Sequence, residues 1–279
     1  MRILTWNVQY GKASDGTADF SRTLQHIKSL GDFDVICLQE LARNMPEYCQ
    51  AEQSDHLQMA QQFFDEYIPV WGSGFSWPGN DADGHLRQEF GNVSLVKSGL
   101  VDFRVHQLPR PATPGKEQMF RVAVETVVDS NSGPLSIINT HLAYHDVHEN
   151  QQQLEHLYRL EQERTAHQKE PGRIGSGTYQ AGFPASARLL CGDFNFTPDT
   201  SHYAYQVDMN WKDAWPLCNE DKPHTPTCGI FDLAQWVQGE HCRDYFWLSH
   251  ELQTFDLNIS VDTDTSLSDH QPVLLEIAI

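Results

Sequence analysis

Short runs of Val, Ile and Leu recur along the chain, at 3–6, 35–38, 93–96, 122–128, 135–138, 189–191, 245–248 and 272–277, and read as strands. Between some of them the apolar positions fall at helical spacing, over 20–30, 57–64 and 150–167, the last with Leu154, Leu157 and Leu160 on one stripe. Two stretches predict long loops: 71–90, with several Gly and Asp and a Trp-Pro step, and 171–187, with Gly172, Gly175, Gly177 and Gly182. Strands outnumber helices and do not alternate with them one for one. Two packed sheets with helices outside fit that order better than a βαβ repeat.

The polar residues at the ends of the apolar runs carry the chemistry. The first run ends in Trp6-Asn7, the second in Leu38-Gln39-Glu40, a middle one in Asn139-Thr140-His141 and a later one in Gly192-Asp193-Phe194-Asn195, while Leu267-Ser268-Asp269-His270 precedes the last. Strand ends gather along a sheet edge, where a rigid scaffold brings catalytic groups together. Singly, an Asn or Asp at a strand end is a turn former and a His simply a hydrogen-bonding group. Glu40 is harder to dismiss, because a carboxylate set against an apolar strand tends to be paired or metal-bound. Asn, Glu, Asp and His on one edge suit a hard cation such as Mg²⁺ or Mn²⁺. Asp193 with the His and Asn residues offers a base and donors for developing phosphorane charge.

Composition narrows the partners. The 279 residues predict one domain, 1–279, and the 39% hydrophobic content is that of an ordinary globular chain. A formal charge of -19 weighs against long duplex DNA, which is met by clustered Lys and Arg, and favours a small molecule or a single-stranded nucleic acid as the phosphate ester. The start, Met1-Arg2-Ile3-Leu4-Thr5-Trp6, reads as a strand and not a signal peptide, and no run long enough to span a membrane is present, so a cytoplasmic protein is expected. Cys37 and Cys191 fall inside strands as small buried thiols; Cys218, Cys228 and Cys242 share a loop-rich region with His224 and His241, where a zinc site or disulfide is the alternative to plain thiols. Of the aromatics between Trp211 and Trp247, most are expected in the core.

Six motifs in order, Thr5-Trp6-Asn7, Leu38-Gln39-Glu40, Asn139-Thr140-His141-Leu142, Gly192-Asp193-Phe194-Asn195, Arg243-Asp244-Tyr245 and Ser268-Asp269-His270, resemble the endonuclease/exonuclease/phosphatase superfamily, to which deoxyribonuclease I belongs. The resemblance implies an α/β (α+β) fold, a deoxyribonuclease I-like four-layer αββα sandwich of two mixed β-sheets with helices outside. It also implies a divalent-metal-dependent phosphodiesterase or phosphatase that works by in-line attack of an activated water. A Mg²⁺-dependent nuclease on DNA or RNA is the alternative, and a non-catalytic binding protein retaining the fold is the rival.

Carried over by position, Glu40 would be the principal metal ligand, with Asn7 near it holding metal or phosphate and Asp269 completing the metal region. Asp193 would orient or deprotonate water, and Asn195 would donate to the phosphate. His270, aligned by Asp244, would stabilise the transition state, and His141 would meet a phosphate oxygen or the leaving group. Gln9 departs from the Asn or Asp of many members, so a direct side-chain contact does not carry over there. Glu89 matches a Glu that supports the catalytic His in some members, although a turn at Gly91-Asn92 would explain Glu89 and Asn92 equally. Arg121 would be a phosphate contact or a rim salt bridge.

Overall fold

Apolar runs with no polar face belong to strands buried on both sides. The computed structural model describes residues 1–79, 85–173, 175–179, 182, 185, 187–220 and 222–279. In chain order the strands are β1 (Arg2–Asn7), β2 (Val35–Arg43), β3 (Ile68–Pro78), β4 (Arg87–Val96), β5 (Leu100–Gln107) and β6 (Val122–Val128). Then come β7 (Leu135–His141), β8 (Ala187–Asp193), β9 (Lys212–Asp213), β10 (Asp244–Leu248), β11 (Leu257–Val261) and β12 (Val273–Ile277). The helices are α1 (Phe20–Ser29), α2 (His56–Phe63), α3 (Val147–Lys169), α4 (Ser201–Asp208) and α5 (Ala214–Cys218).

One sheet runs β11-β12-β1-β2-β4-β3 and the other β5-β6-β7-β8-β10-β9. Each has one parallel pair at its centre, β1 with β2 and β7 with β8, and antiparallel neighbours elsewhere. Alternation along β1 sends Ile3 into a core shared with Leu189, Cys191 and Phe246 of the other sheet. It sends Leu4 and Trp6 to the opposite face, against Phe20, Leu24 and Ile27 of α1. Each of those helix side chains, withdrawn from water, contributes about 1.5–3 kcal/mol. The second sheet repeats the arrangement, with Leu190, Tyr245 and Trp247 packed under Leu154 and Leu157 of α3. The layers are therefore helix, sheet, sheet, helix, the expected αββα sandwich. Among the described residues, no helix is long and apolar enough to cross a membrane.

Much of the stretch 71–90, expected as a loop, is instead the β3–β4 pairing, and Gly91 and Asn92 lie inside β4 rather than in a turn. The glycines that suggest a loop mark a close approach of the two sheets. A Cβ on Gly72 would sit 2.5 Å from Val124 Cγ2 of β6, and one on Gly74 would sit 2.4 Å from the Phe120 carbonyl oxygen. The second expected loop, 171–187, lies partly outside the described residues.

Toward one end of the sandwich the packing between the sheets becomes polar. Gln39, fully buried, donates from Nε2 to Thr5 Oγ1 at 3.0 Å and across to Asn139 Oδ1 of the other sheet at 2.7 Å. Asn139 Nδ2 donates back to the carbonyls of Leu38 (3.2 Å) and Val93 (2.9 Å). These bonds fix the register of one sheet on the other directly beneath the strand ends.

On the outer face His56 opens α2 as a neutral ring. Its Nδ1 accepts from Ala42 N at 3.2 Å, it stacks on Phe20 at 4.5 Å, and burial pulls its pKa from 6.5 down to about 4. Above pH 6.5 the ring is neutral in both states and contributes no pH dependence. As pH falls from 6.5 towards 4 the unfolded chain takes up a proton that the folded chain refuses, so stability is lost, by about 3 kcal/mol in all. His56→Asn is expected to flatten this acid slope, read as urea midpoints at neutral pH and near pH 4.

Candidate active site

Simple alternation would turn Glu40 outward with Leu38. A β-bulge prevents this: Leu38 pairs with Val93 and Leu41 with Gly91, so Gln39 and Glu40 together face a single partner position, and Glu40 takes a left-handed φ of 61°. Bulges re-aim side chains, and a non-glycine residue held in that region marks a functional constraint. Here Glu40 Oε1 is brought within 3.1 Å of Asn7 Nδ2, and 18% of its side chain stays exposed.

Asn7 ends β1 and spans two carboxylates. Its Nδ2 donates to Glu40 and, at 3.1 Å, to Asp193 Oδ2, while its Oδ1 accepts from Gln9 N at 3.1 Å. The second sheet delivers its groups in register, His141 of β7 opposite Asp193 of β8 and Asp193 opposite Asp244 of β10. Gly192 precedes Asp193 at φ 131°, in a place where a Cβ would lie 1.9 Å from the Thr140 carbonyl oxygen. After it the chain turns sharply. Asn195, at φ 56°, donates from its backbone N to Asp193 Oδ1 at 2.9 Å and from Nδ2 to the Leu142 carbonyl at 2.9 Å.

His270 completes the cluster. Its Nδ1 lies 2.8 Å from Asp244 Oδ2, which also accepts from Thr227 Oγ1 at 2.6 Å, and its Nε2 lies 3.6 Å from Asp193 Oδ2. The ring is held from below: Trp6 Nε1 donates to the His270 carbonyl at 2.9 Å, and His270 N donates to Ser268 Oγ, itself bonded to the Asn7 carbonyl. His141 sits between the acids, Nε2 at 3.3 Å from Asp193 Oδ2 and Nδ1 at 3.7 Å from Glu40 Oε1. Asp269 accepts from Gln235 Nε2 at 2.5 Å, and Gln235 in turn accepts from Gln9 Nε2 at 3.2 Å.

The electrostatics divide the histidines into two kinds. Burial disfavours charge on His270, yet Asp244, Asp193 and Asp269 around it raise its pKa well above the usual value, so it is an imidazolium at neutral pH. His141 goes the other way: burial and the nearby Arg121 push it well below the usual value, and it is neutral. Burial raises Asp244 to about 6, against the pull of His270. Burial would raise Asp193, but the charge on His270, with the hydrogen bond from Asn7, outweighs it and keeps Asp193 below the usual carboxylate value. Burial, with Asp269 beside it, pushes Glu40 up to about 7.

Asp193, Asp244 and His270 could in principle hold a metal, since one ligand atom from each lies within 4.8 Å of the others. Their charges argue for a different use. His270 has carboxylates at both ring nitrogens, Asp244 Oδ2 at 2.8 Å and Asp193 Oδ2 at 3.6 Å, which favour its protonated form.

Arg121, just before β6, is not the rim ion pair of the bland alternative. It is 7% exposed, and its Nε and Nη1 are buried without a hydrogen-bond partner among the described residues, in the field of Glu40 and Asp193. Asn92 steadies this segment by donating to the Val122 carbonyl at 2.9 Å. Glu89 is occupied elsewhere, paired with Arg43 Nη1 at 2.6 Å. Sequence reasoning gave no role to Gln235, which holds Asp269, and did not foresee that Thr227 bonds Asp244 or that the Trp236 ring meets His270 edge-on at 5.6 Å. All three lie in loop with no strand pattern to flag them. The cysteines of that region are free thiols: Cys228 donates to the His241 carbonyl and Cys242 to the Asp244 carbonyl, so neither the disulfide nor a zinc cluster forms among the described residues.

A model of the endonuclease/exonuclease/phosphatase family matches residues 4–270. The chain belongs to that family. No curated protein matches it in sequence. Its fold is similar to that of an endonuclease/exonuclease/phosphatase from Beutenbergia cavernae, at 20% identity and TM-score 0.71, covering 100% of this chain and 71% of that one. It is also similar to the mannosyl-6-phosphatase Bt3783 of Bacteroides thetaiotaomicron, at 16% identity and TM-score 0.66, with 100% of both chains covered. A humanized TDP2 of D. rerio matches at 17% identity and TM-score 0.61, covering 100% of this chain and 99% of that one. The family's members are hydrolases of phosphate esters.

Proposed function

We propose that this member is a divalent-cation-dependent phosphoesterase in which Asp193 prepares a water for in-line attack on phosphorus. The observation that carries this is the environment of one oxygen. Asp193 Oδ2 receives Asn7 Nδ2 at 3.1 Å and faces His141 Nε2 at 3.3 Å and His270 Nε2 at 3.6 Å, while Oδ1 is fixed by Asn195 N. An ionised carboxylate so held is a base of fixed direction. His270, charged and oriented by Asp244, lies where negative charge on a phosphoryl oxygen would develop. Asn195 and Arg121, whose Nε and Nη1 have no hydrogen-bond partner among the described residues, are further donors for the phosphate, and neutral His141 serves the leaving group.

The residues fit a hard cation. Glu40 and Asp269 are carboxylates, Asn7 adds an amide, and Glu40, raised to about 7, binds either a proton or a metal at neutral pH. Bound there, Mg²⁺ or Mn²⁺ would supply polarisation of the phosphoryl oxygen and neutralisation of the leaving group. Glu40→Gln is expected to weaken cation binding by about 10- to 100-fold or more, measured by calorimetry on the resting protein.

The deciding experiment is a panel of phosphomonoesters and phosphodiesters offered with Mg²⁺ or Mn²⁺ to the protein and to Asp193→Asn. Turnover by the first and not by the second is expected. Hydrolysis by Asp193→Asn at the wild-type rate would sink the mechanism.

A further inference from the structure

We propose that Phe75, Trp77, Phe120 and Arg110 form a base-stacking subsite beside the catalytic centre, and that the phosphate ester it serves is single-stranded nucleic acid. The inference rests on the phosphoesterase assignment above and names its substrate.

Phe75 and Trp77 stack with centroids 3.9 Å apart and planes at 24°. Phe120 meets Trp77 edge-on, at 6.4 Å and 82°. The guanidinium carbon of Arg110 lies 4.1 Å from the Phe120 ring centre. Trp77 is 49% exposed and Phe120 38%. Phe75 stacks on the indole and Phe120 meets it at about a right angle, and half of Trp77 is still exposed. A flat ring laid there would extend an existing stack.

The platform is rigid, because Phe75 is packed with Phe90, Tyr48 and Met119 in a small core of its own. It is also next to the chemistry. Phe120 immediately precedes Arg121, whose charge acts on Glu40 and Asp193. On the sheet side Phe90 pairs with Ala42, two residues beyond Glu40 on the same strand. A ring on Trp77 and a phosphate at Asp193 are, on this proposal, parts of one substrate.

The chemistry selects the class. Arg110 over Phe120, followed by Arg121, places guanidinium groups with aromatic faces on a chain whose formal charge is -19. Stacked aromatics interleaved with arginine suit unpaired bases joined by phosphates. A base inside a duplex has its faces covered by its neighbours, and an acyl chain has no plane to stack.

The test compares Trp77→Ala and Trp77→Phe with wild type on a single-stranded oligonucleotide and on the same strand lacking its bases. Trp77→Ala is expected to raise KM for the full oligonucleotide about 5- to 100-fold and leave kcat and cleavage of the base-free strand unchanged, and Trp77→Phe to recover most of the loss. An equal loss on both strands, or no loss on either, overturns the subsite. Quenching of indole fluorescence by the oligonucleotide, read in Asp193→Asn and in Asp193→Asn with Trp77→Ala, separates the two assignments. Binding that is lost with Trp77 supports the subsite even if wild type hydrolyses nothing, which would sink the phosphoesterase instead. Hydrolysis of simple phosphomonoesters without any affinity for the oligonucleotide keeps the phosphoesterase and overturns the subsite.

Discussion

Asp193→Asn should lower kcat by roughly 10³- to 10⁴-fold with little change in melting temperature. The amide is isosteric and still offers an oxygen to Asn195 N, which lies 2.9 Å from Oδ1. Three properties disappear: the capacity to take a proton from water, the negative charge between His141 and His270, and the acceptor that Oδ2 offers Asn7 Nδ2 at 3.1 Å. The second loss is modest for folding, because His270 keeps Asp244 at 2.8 Å and remains paired. The measurement is kcat at saturating cation beside a thermal melt of the same preparation. A variant that loses activity only because it melts early would tie Asp193 to stability and not to chemistry.

Gly192→Ala, one residue away, is expected to fail in the opposite manner. The added methyl carbon would sit 1.9 Å from the Thr140 carbonyl oxygen, on a residue at φ 131°. Gly192 pairs with Thr140 on one side and with Tyr245 on the other, so neither neighbour can withdraw without opening the centre of the sheet. The expected loss is above about 4 kcal/mol, enough to lower the melting temperature by about 10 °C or more. Gly16→Ala is the control. Its φ of 81° is equally unfavourable for alanine, but nothing lies within 4 Å of the new carbon. It should therefore cost about 1 kcal/mol. Similar melting temperatures for the two variants would show that conformation and not crowding requires glycine at 192.

The sequence displays the inner strands well because burial on both faces leaves an unbroken apolar run, as in Val122–Val128. It hides β3, whose inward positions carry Gly72 and Gly74 to admit the facing sheet, so a strand reads as loop chemistry. It hides β11 at the sheet edge, where Leu257–Val261 buries only Ile259. In the site, Asn7, Glu40, His141, Asp193, Asp244 and His270 all stand at or beside strand ends that the apolar pattern marks, and the fold brings them together. Alternation alone would have sent Glu40 to the wrong face, since a bulge has no signature in hydrophobicity. Arg121 was ambiguous for a related reason: a guanidinium at a strand start is ordinary on a surface, and what separates it from one is its burial with Nε and Nη1 unbonded among the described residues.

Asn7 and Glu40 come from one sheet and His141, Asp193 and Asp244 from the other, with Gln39 and Asn139 hydrogen-bonded across the seam below them. The centre is therefore a gauge of how the two sheets sit on each other. A slip or a slight parting would separate acid from base before any strand lost its own ladder, so heat or denaturant should extinguish catalysis while most secondary structure survives. Core substitutions far from phosphorus that alter the spacing between the sheets would then register first as slower chemistry and only later as lost fold.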